Sequence, residues 1–368
     1  MRERCRHVEV AGRRFLVRCV RGVPTRWNEE RELLDAGVPL PLCHRAAWLD
    51  LSPRAPWLLS ARDEHGRCAA VVAFTTTATR AMPGHVVLRA ERVGVLRDAR
   101  AVTAVLAAAA RLARARRNIL RIEIATFSFD ASERRAVTSA LAEHGYVRAR
   151  ERRFYRKTAR VDLRETESDL LASFHPTARR HIRAVSRHPV TVRPFTDPVL
   201  AGRVEALARA ARERTGGLAI DRPFDALLRL SALRPDLVHF VGLFRSEELL
   251  AFASAHAHGD YATYADAGSA RRADIKLPLG YAPAWELMLW AKRQGLHHFD
   301  FGGITDACDR LRGISDFKRY FRGEELDVSE EWVFEPHRVR AAVANTLTAA
   351  ATWWRMRSLP PAERRTAE

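Results

Sequence analysis

The chain has 368 residues, 47% hydrophobic and 29% charged, which is the composition of an ordinary soluble globular protein long enough for two domains. Its formal net charge of +18 departs from that pattern and favours an anionic partner such as nucleic acid, a membrane surface or a phosphorylated substrate. The five cysteines lack CxxC spacing, so we expect reduced thiols and no metal site. The sequence has no run of about 20 apolar residues and opens without a basic-then-apolar leader. Together with the reduced thiols, this predicts a cytoplasmic protein.

The first half reads as an antiparallel meander followed by alternating helices and strands. Alternation of apolar and polar residues over 4–20 predicts one or two strands. Turn-forming residues separate three further strand-like runs, at 57–61, 68–76 and 85–90. An alanine-rich helix over 101–117, a strand over 120–126 and a helix over 132–144 come next. This order predicts an α/β unit with a mixed sheet.

The second half repeats the plan. Its helices are predicted over 169–187 (broken near Pro176), 197–215, 223–233 and 281–294, and its strands over 190–195, 238–244, 249–256, 261–266 and 297–301. The segments AARLARARRNILRIEIATF and ELMLWAKRQGLHHFDFGG each join a long helix directly to a strand, which indicates a degenerate internal duplication. We therefore predict two tandem α/β domains, at 1–165 and 166–336.

A last helix, over 336–357, belongs to a C-terminal segment predicted to span 337–368. It carries Ala, Leu and the pair Trp353-Trp354, with arginines at Arg338, Arg340, Arg355 and Arg357. A basic amphipathic helix can lie on an anionic membrane. Packing back on its own domain is the commoner outcome and is the one that we favour.

Lys318 is the candidate catalytic residue that stands out. Lysine and arginine together number 62, yet only Lys157, Lys276, Lys292 and Lys318 are lysines. Such a bias favours arginine wherever any cation serves, so a remaining lysine can mark a place that needs a compact ammonium group. The alternative is that the lysine remains there by chance. Lys318 lies among aromatic residues on a predicted helix that follows a strand ending in Asp300 and Gly302-Gly303. A partly desolvated cation there can meet charge that develops in a reaction.

Several basic residues are candidates for binding phosphate. Arg179 and Arg183 are four apart on a short helix and share a face, which suits phosphate or an RNA backbone, although a solvated face is as good an interpretation of the spacing. Arg214 and Arg222 flank a predicted Gly-Gly loop, a common setting for a site. Gly280, just before a helix, could offer backbone N–H groups to pyrophosphate.

Some signatures are absent or have an ordinary explanation. The sequence contains neither a GxxxxGK[ST] nucleotide loop nor a GxSxG elbow. His256, His258 and Asp260 alternate in a way that could suit a metal, but they fall at a predicted hairpin turn, and we assign them a structural role.

From about residue 168 to 336 the sequence resembles the FemAB/FemX family of aminoacyl-tRNA-dependent transferases that build peptidoglycan bridges. TARRHIRAV, with Arg179 and Arg183, is similar to the family's Thr-Arg-x-x-Ile-Arg-Lys-Ala helix, and ARERTGG followed by Arg222 is similar to its Thr-x-x-Arg loop. TYADAGS, with Tyr264, is similar to a strand of its meander. FDFGGI and GISDFKRYFRGEE are similar to its Asp-Phe-x-Gly-Ile and Phe-Lys-x-x-Phe-Gly-Gly motifs, with Arg322-Gly323 where Gly-Gly is common.

The resemblance implies two tandem acetyltransferase-like (GNAT) domains with mixed sheets. It implies transfer of an amino acid from aminoacyl-tRNA to an amine of a peptidoglycan precursor or a related peptide, without a further cofactor. It also implies that the Lys318 ammonium stabilises charge in the transition state and that Phe317 shapes the aminoacyl pocket. The candidate catalytic residues are Lys318, Phe317 and Asp300, and the candidate substrate-binding residues are Arg179, Arg183, Arg214, Arg222, Tyr264, Gly302 and Gly303.

Two other functions stay open at this point. An acyl-CoA-dependent N-acyltransferase on the same duplicated fold would use the Gly280 loop for pyrophosphate, but it would not need the large positive charge. A non-catalytic RNA- or membrane-binding protein would use that charge and leave the setting of Lys318 unexplained. For the favoured transferase we expect a monomer that works with tRNA in the cytoplasm, with peripheral contact at the inner face of the membrane as an open alternative.

Overall fold

The computed structural model describes residues 4–24, 27–79, 82–94, 97–150, 153–215, 222–271, 277–305 and 309–358. The strands are β1 Arg4–Val10, β2 Arg13–Arg21, β3 Trp57–Arg62, β4 Cys68–Ala78, β5 Val86–Val93, β6 Ile119–Thr126, β7 Val147–Arg148, β8 Lys157–Asp162, β9 Thr191–Pro194, β10 Val238–Arg245, β11 Glu248–His258, β12 Tyr261–Ser269, β13 His298–Gly303, β14 Glu324–Asp327 and β15 Glu331–Phe334. The α-helices are α1 Asn28–Asp35, α2 Ala46–Leu49, α3 Ala99–Ala115, α4 Ala131–Glu143, α5 Glu167–Ser173, α6 Pro176–Ala184, α7 Ala201–Thr215, α8 Phe224–Leu233, α9 Tyr281–Arg293, α10 Asp309–Arg319 and α11 Arg338–Ser358.

The chain divides into two compact units, and it passes between them more than once. The first unit comprises residues 1–36, 52–153 and 329–368, and the second comprises 37–51 and 154–328. The division therefore falls at 153/154 and 328/329, whereas the sequence suggested 165 and 336. The shift near 154 arises because β8 hydrogen-bonds with β13 and β14 in the second sheet. The shift near 329 arises because β15 pairs with β6 and β7 in the first sheet.

The first unit is an α/β layer. Its sheet has the order β1-β2-β3-β4-β5-β6-β15-β7. Among the described strands of this sheet, β5 and β6 form the one parallel pair. Helix α3 makes that connection and buries six of its alanines, together with Val102, Val105 and Leu106, in the core. Its start is fixed by Asp98, whose carboxylate accepts the backbone N–H of Arg100.

The second unit has the same plan. Its sheet order is β14-β8-β13-β12-β11-β10-β9, and β12 and β13 run parallel while the remaining pairs are antiparallel. Helix α9 joins β12 to β13, so its N-terminus lies at the end of the sheet where both strands finish. Both predicted α/β units with mixed sheets are thus present, and the predicted meander is confirmed as β10, β11 and β12.

Local chemistry explains the two short helices that precede β9. Thr166 caps α5 by accepting the N–H of Asp169, and α5 ends before His175. Helix α6 then begins at Pro176, whose ring has the right φ for a first helical residue, and the His175 ring accepts the N–H of Thr177. No helix among the described residues combines the length and the apolar character that crossing a bilayer requires.

Candidate active site

The candidate active site lies where β12 and β13 separate. The two parallel strands pair over only three positions, from Tyr261 opposite His298 to Thr263 opposite Asp300. Beyond that point β12 continues along β11, and the β11–β12 ladder changes register between Ala253 and Ala255. A local change of register of this kind bends a strand and turns it away from its neighbour. The two strands therefore stop pairing with each other at the end of the sheet that carries the predicted motif residues.

Asp300 occupies the last paired position and is fully buried. Its carboxylate accepts hydrogen bonds from the Tyr155 hydroxyl (2.8 Å), the Thr263 hydroxyl (3.2 Å) and the Gly302 N–H (2.9 Å), and it is also in contact with the Thr158 hydroxyl. These donors come from β8, β12, β13 and the segment just before β8. A buried carboxylate with several donors is held firmly, so Asp300 is a positioning residue in this geometry.

Gly302 and Gly303 give the end of β13 its shape. Gly302 has a φ of +69°, a conformation that favours glycine, and it sits where β13 slips in register against β8. A Cβ on Gly302 would lie 3.7 Å from the Tyr264 carbonyl oxygen and 3.9 Å from Lys318 Nζ. A Cβ on Gly303 would come within 2.6 Å of the Tyr155 Cβ. The double glycine therefore lets Tyr155 and Lys318 approach the same short piece of backbone.

Lys318 brings its ammonium group to this point from the last turn of α10. It is 9% exposed, and its Nζ donates to the Gly303 carbonyl oxygen at 2.6 Å. Burial lowers the pKa of Lys318 to about 8, although the negative charge of Asp300 acts in the opposite direction. The position of α10 is fixed in turn by Ser315, whose hydroxyl donates to the Thr305 carbonyl and accepts the Thr305 N–H.

Aromatic side chains pack around Phe317, the residue that precedes Lys318 on α10. The Phe317 ring packs against Tyr281 at 4.9 Å between centroids, against Tyr264 at 6.3 Å and against Phe301 at 6.3 Å. Burial raises the pKa of the Tyr264 hydroxyl, and burial raises that of Tyr281 to about 12, so both hydroxyls remain neutral. These rings form an aromatic cluster that lies beside a polar group made of Lys318, the Gly303 carbonyl and Asp300.

Helix α9 begins beside this aromatic cluster. A Cβ on Gly280 would lie 3.6 Å from the Phe317 ring, which places the N-terminus of α9 next to the site. Its N-cap residue is Gly280, which has no side chain to cap the helix, and the first N–H groups of a helix can donate to an anionic ligand. The loop before it includes residues 272–276, Lys276 among them, which lie outside the described part of the chain.

The arginines predicted to bind substrate fall into two groups, and neither touches Lys318. Arg222 lies 3.5 Å from Asp266 on the outer half of β12, and Arg214 donates to the Ser269 carbonyl at the end of the same strand. On α6, Arg179 is half-buried and donates to the Ala172 carbonyl at 2.6 Å, whereas Arg183 is exposed. Arg179 thus braces the junction of α5 and α6, and Arg183 remains the better candidate for a phosphate contact.

Five of the predicted residues gather around Lys318: Asp300, Gly302, Gly303, Tyr264 and Phe317. Sequence reasoning missed Tyr155, Thr158 and Thr263, which hold Asp300, because Tyr155 and Thr158 lie more than a hundred positions from Asp300 in the sequence. It also missed Tyr281 as a partner of Phe317; an aromatic residue directly after Gly280 was the available signal. His258 has the structural role assigned to it, since its ring accepts the backbone N–H of Leu42.

Comparison with known proteins supports the reading of the fold. Residues 172–322 match the family model described as "Acetyltransferase (GNAT) domain". The second unit carries a GNAT domain. This makes the chain an acyltransferase, and the split between β12 and β13 lies within the matched segment. A search of curated proteins finds no match.

Solved structures share the fold over most of the chain. FemX matches with a TM-score of 0.68 at 13% identity, over 86% of this chain and 97% of FemX. A tandem GNAT protein from the clavulanic acid biosynthesis pathway matches with a TM-score of 0.54 at 14% identity, over 87% of this chain and 99% of that one. L-PGS from Bacillus licheniformis matches with a TM-score of 0.52 at 13% identity, over 89% and 97%. At such identities the likeness concerns the fold, and it confirms the predicted pair of tandem GNAT units.

Proposed function

We propose that the chain is an aminoacyltransferase that moves an amino acid from aminoacyl-tRNA to an amine of a peptidoglycan precursor or a related peptide. The observation that carries the proposal is the buried Lys318 ammonium, held against the Gly303 carbonyl at the split between β12 and β13. A fixed, buried cation stabilises negative charge more strongly than one in water.

The reaction needs little more than positioning and that charge. The acceptor amine, in its neutral form, attacks the ester carbonyl carbon of the aminoacyl group, which forms the C–N bond and places negative charge on the carbonyl oxygen. The Lys318 ammonium stabilises this oxyanion. When the ester C–O bond breaks, a proton lost by the attacking nitrogen balances the charge on the departing ribose hydroxyl. The ester is already activated, so neither ATP nor a protein nucleophile is required in this step.

Three observations support aminoacyl-tRNA as the donor. The match to FemX extends over 86% of the chain, and it includes both units. The net charge of +18 suits a polyanionic substrate. The exposed Arg183 and the pair Arg214 and Arg222 lie on the same unit as Lys318, where contacts to phosphate would orient the tRNA.

An acyl-CoA-dependent N-acyltransferase is the second candidate. It is favoured by the GNAT match and by the N-terminus of α9 beside Phe317, which begins at Gly280 and could receive a pyrophosphate. The same Lys318 would then face a thioester carbonyl.

A donor assay distinguishes the two. The protein is incubated with charged tRNAs or with acyl-CoAs, together with candidate amines, and amide products are followed by mass spectrometry. We expect transfer from charged tRNA and its loss after the donor has been treated with RNase. Transfer from acyl-CoA, with none from any charged tRNA, would contradict the proposal and establish the second candidate. Lys318→Ala serves as the control for catalysis at this site.

A further inference from the structure

Helix α11 is attached to the first unit along one face. Ala341 and Ala344 are buried on this face. Beside them, Arg340 donates to the Arg117 carbonyl at 2.8 Å, and Arg121 donates to the Asn345 side chain at 3.2 Å. The predicted packing of this helix on its own domain is therefore seen for its first half.

The opposite face of α11 is apolar and exposed. Val339, Val343 and Leu347 are 79%, 48% and 46% exposed, and their spacing of four places them in one line along the helix. Single exposed apolar residues are ordinary on protein surfaces. A line of three on successive turns, opposite a packed face, is a continuous surface of the kind that contacts a partner. We refer to these three residues as the outer stripe.

The charges of α11 narrow the choice of partner. The helix spans Arg338–Ser358 and contains four arginines but neither aspartate nor glutamate, and Trp353-Trp354 occur near its end in the sequence. Arginine and tryptophan are both suited to the boundary between lipid headgroups and acyl chains. RNA would attract the arginines but would give the outer stripe no favourable contact. A second copy of the chain would bring like charges together.

We propose that the outer stripe of α11 binds the surface of a bilayer that contains anionic lipids. Val339, Val343 and Leu347 enter the boundary between headgroups and acyl chains, and the exposed Arg338 meets lipid phosphates. The inner face of α11 stays attached to the first unit, so the helix lies on the membrane and does not need to unfold from the protein. The proposal is independent of the donor that the second unit uses.

Vesicle sedimentation tests the proposal. The full chain is mixed with vesicles of phosphatidylcholine, with or without phosphatidylglycerol. We expect the wild type to sediment with the anionic vesicles and to be released by salt, because screening weakens the attraction of arginine to lipid phosphate. The variant Val339→Gln/Val343→Gln/Leu347→Gln should lose binding by about tenfold or more. Glutamine is a good helix former, so α11 is kept.

The matched control is Leu233→Gln, which makes the same change on another exposed helical leucine (78% exposed) and should leave binding unchanged. Equal binding by the triple variant and the wild type would overturn the proposal, as would a wild type that sediments with neither kind of vesicle. Sedimentation velocity gives the remaining outcome. A dimer that the triple variant converts to monomers would identify the outer stripe as a self-association surface and would also overturn the proposal.

Discussion

Two lysines in this arginine-rich chain occupy positions where the small size of an ammonium group matters. Lys318 Nζ approaches the Gly303 carbonyl in a buried space, and Lys292 Nζ donates to the carbonyls of Leu163 and Glu165. All three acceptors are backbone oxygens, which a rotatable point donor reaches more readily than the planar guanidinium of arginine does. The scarcity of lysine therefore has a physical basis at both positions. It does not by itself distinguish a catalytic lysine from a structural one, because Lys292 has a purely structural role.

The protonation state of Lys318 gives a pH test of its role. Its pKa is lowered to about 8, so the ammonium loses its proton as the pH rises through that value. If the cation stabilises the oxyanion, kcat should fall above about pH 8, and Lys318→Ala should lower kcat by about 10² to 10³. Lys318→Arg should retain some activity without this falling limb, because arginine stays charged. A kcat that rises through pH 8 would instead identify the neutral amine as a base and contradict the proposed role.

Asp300 should act on the reaction through Lys318. Its negative charge raises the pKa of Lys318, against the effect of burial. Asp300→Asn removes the charge at nearly constant volume, so we expect the falling limb of the kcat profile to move to lower pH. The variant should also lose about 1–3 kcal/mol of stability because several donors face an amide. Thr263→Val is the control: it removes one donor without changing charge and should leave the limb near pH 8. An unmoved limb in Asp300→Asn would show that Asp300 has no electrostatic influence on Lys318.

At the scale of elements, the site depends on how β13 ends. Strand β13 stops pairing with β12 after Asp300, turns at Gly302 and packs against Tyr155 at Gly303. This path brings the Gly303 carbonyl to the C-terminal turn of α10. At Arg322-Gly323, just after α10, a glycine again allows two pieces of backbone to approach closely. Arg322 has a φ of +50°, and a Cβ on Gly323 would meet the Arg160 backbone at 2.9 Å. The second glycine of the family's Gly-Gly motif is therefore the one that close packing against β8 requires here.

Glycine-to-alanine substitutions in this part of the chain should have opposite effects on stability, depending on the position. Gly302→Ala places a side chain at positive φ and should cost about 1–2 kcal/mol. Gly303→Ala should lower both stability and kcat, because the new Cβ would displace Tyr155, which holds Asp300. Gly313→Ala, in the same region on α10, meets nothing within 4 Å and should stabilise by about 0.5–1 kcal/mol. Thermal unfolding with activity assays would check all three. An active, unperturbed Gly303→Ala protein would contradict the role of Tyr155.

The two candidate arginines of α6 should contribute unequally to tRNA binding. Arg183 is exposed, whereas Arg179 already donates to Ala172. Arg183→Gln should therefore weaken tRNA binding and reduce the slope of log affinity against log salt by about one. Arg179→Gln should mainly reduce stability. The control is Arg229→Gln, an exposed arginine of α8 paired with Asp225. An unchanged slope for Arg183→Gln would assign Arg183 to an ordinary solvated face.

At the scale of the whole molecule, the two units are interleaved along the chain. Residues 37–51 belong to the second unit, although they lie between α1 and β3 of the first. Conversely, β15 comes after the whole second unit and returns to the first sheet, where it lies between β6 and β7. Trp332 and Phe334 of β15 are buried in that core. Neither unit is therefore a single continuous segment of the sequence.

A fragment of residues 1–165 should not fold, although it spans the first domain suggested by the sequence. It lacks β15, so β6 and β7 lose their common partner and the core loses Trp332 and Phe334. It also carries β8 without the second sheet to which that strand belongs. Circular dichroism during heating should show no cooperative transition for the fragment and a cooperative one for the full chain. Cooperative unfolding of the fragment would contradict the structural importance of β15.

The sequence by itself determined the main helices and strands of both units, the tandem α/β plan and the neighbourhood of Asp300, Gly302, Gly303, Phe317 and Lys318, but it did not predict β8, β14 or β15. Periodicity, capping residues and turn glycines are local signals, and those five residues lie within one short stretch. Only the tertiary structure decided that Asp300 is enclosed by Tyr155, Thr158 and Thr263, and that β15 completes the first sheet. The physical reason is distance along the chain. A four-residue strand such as β15 has too little pattern of its own, and its place is set by partners some two hundred positions away.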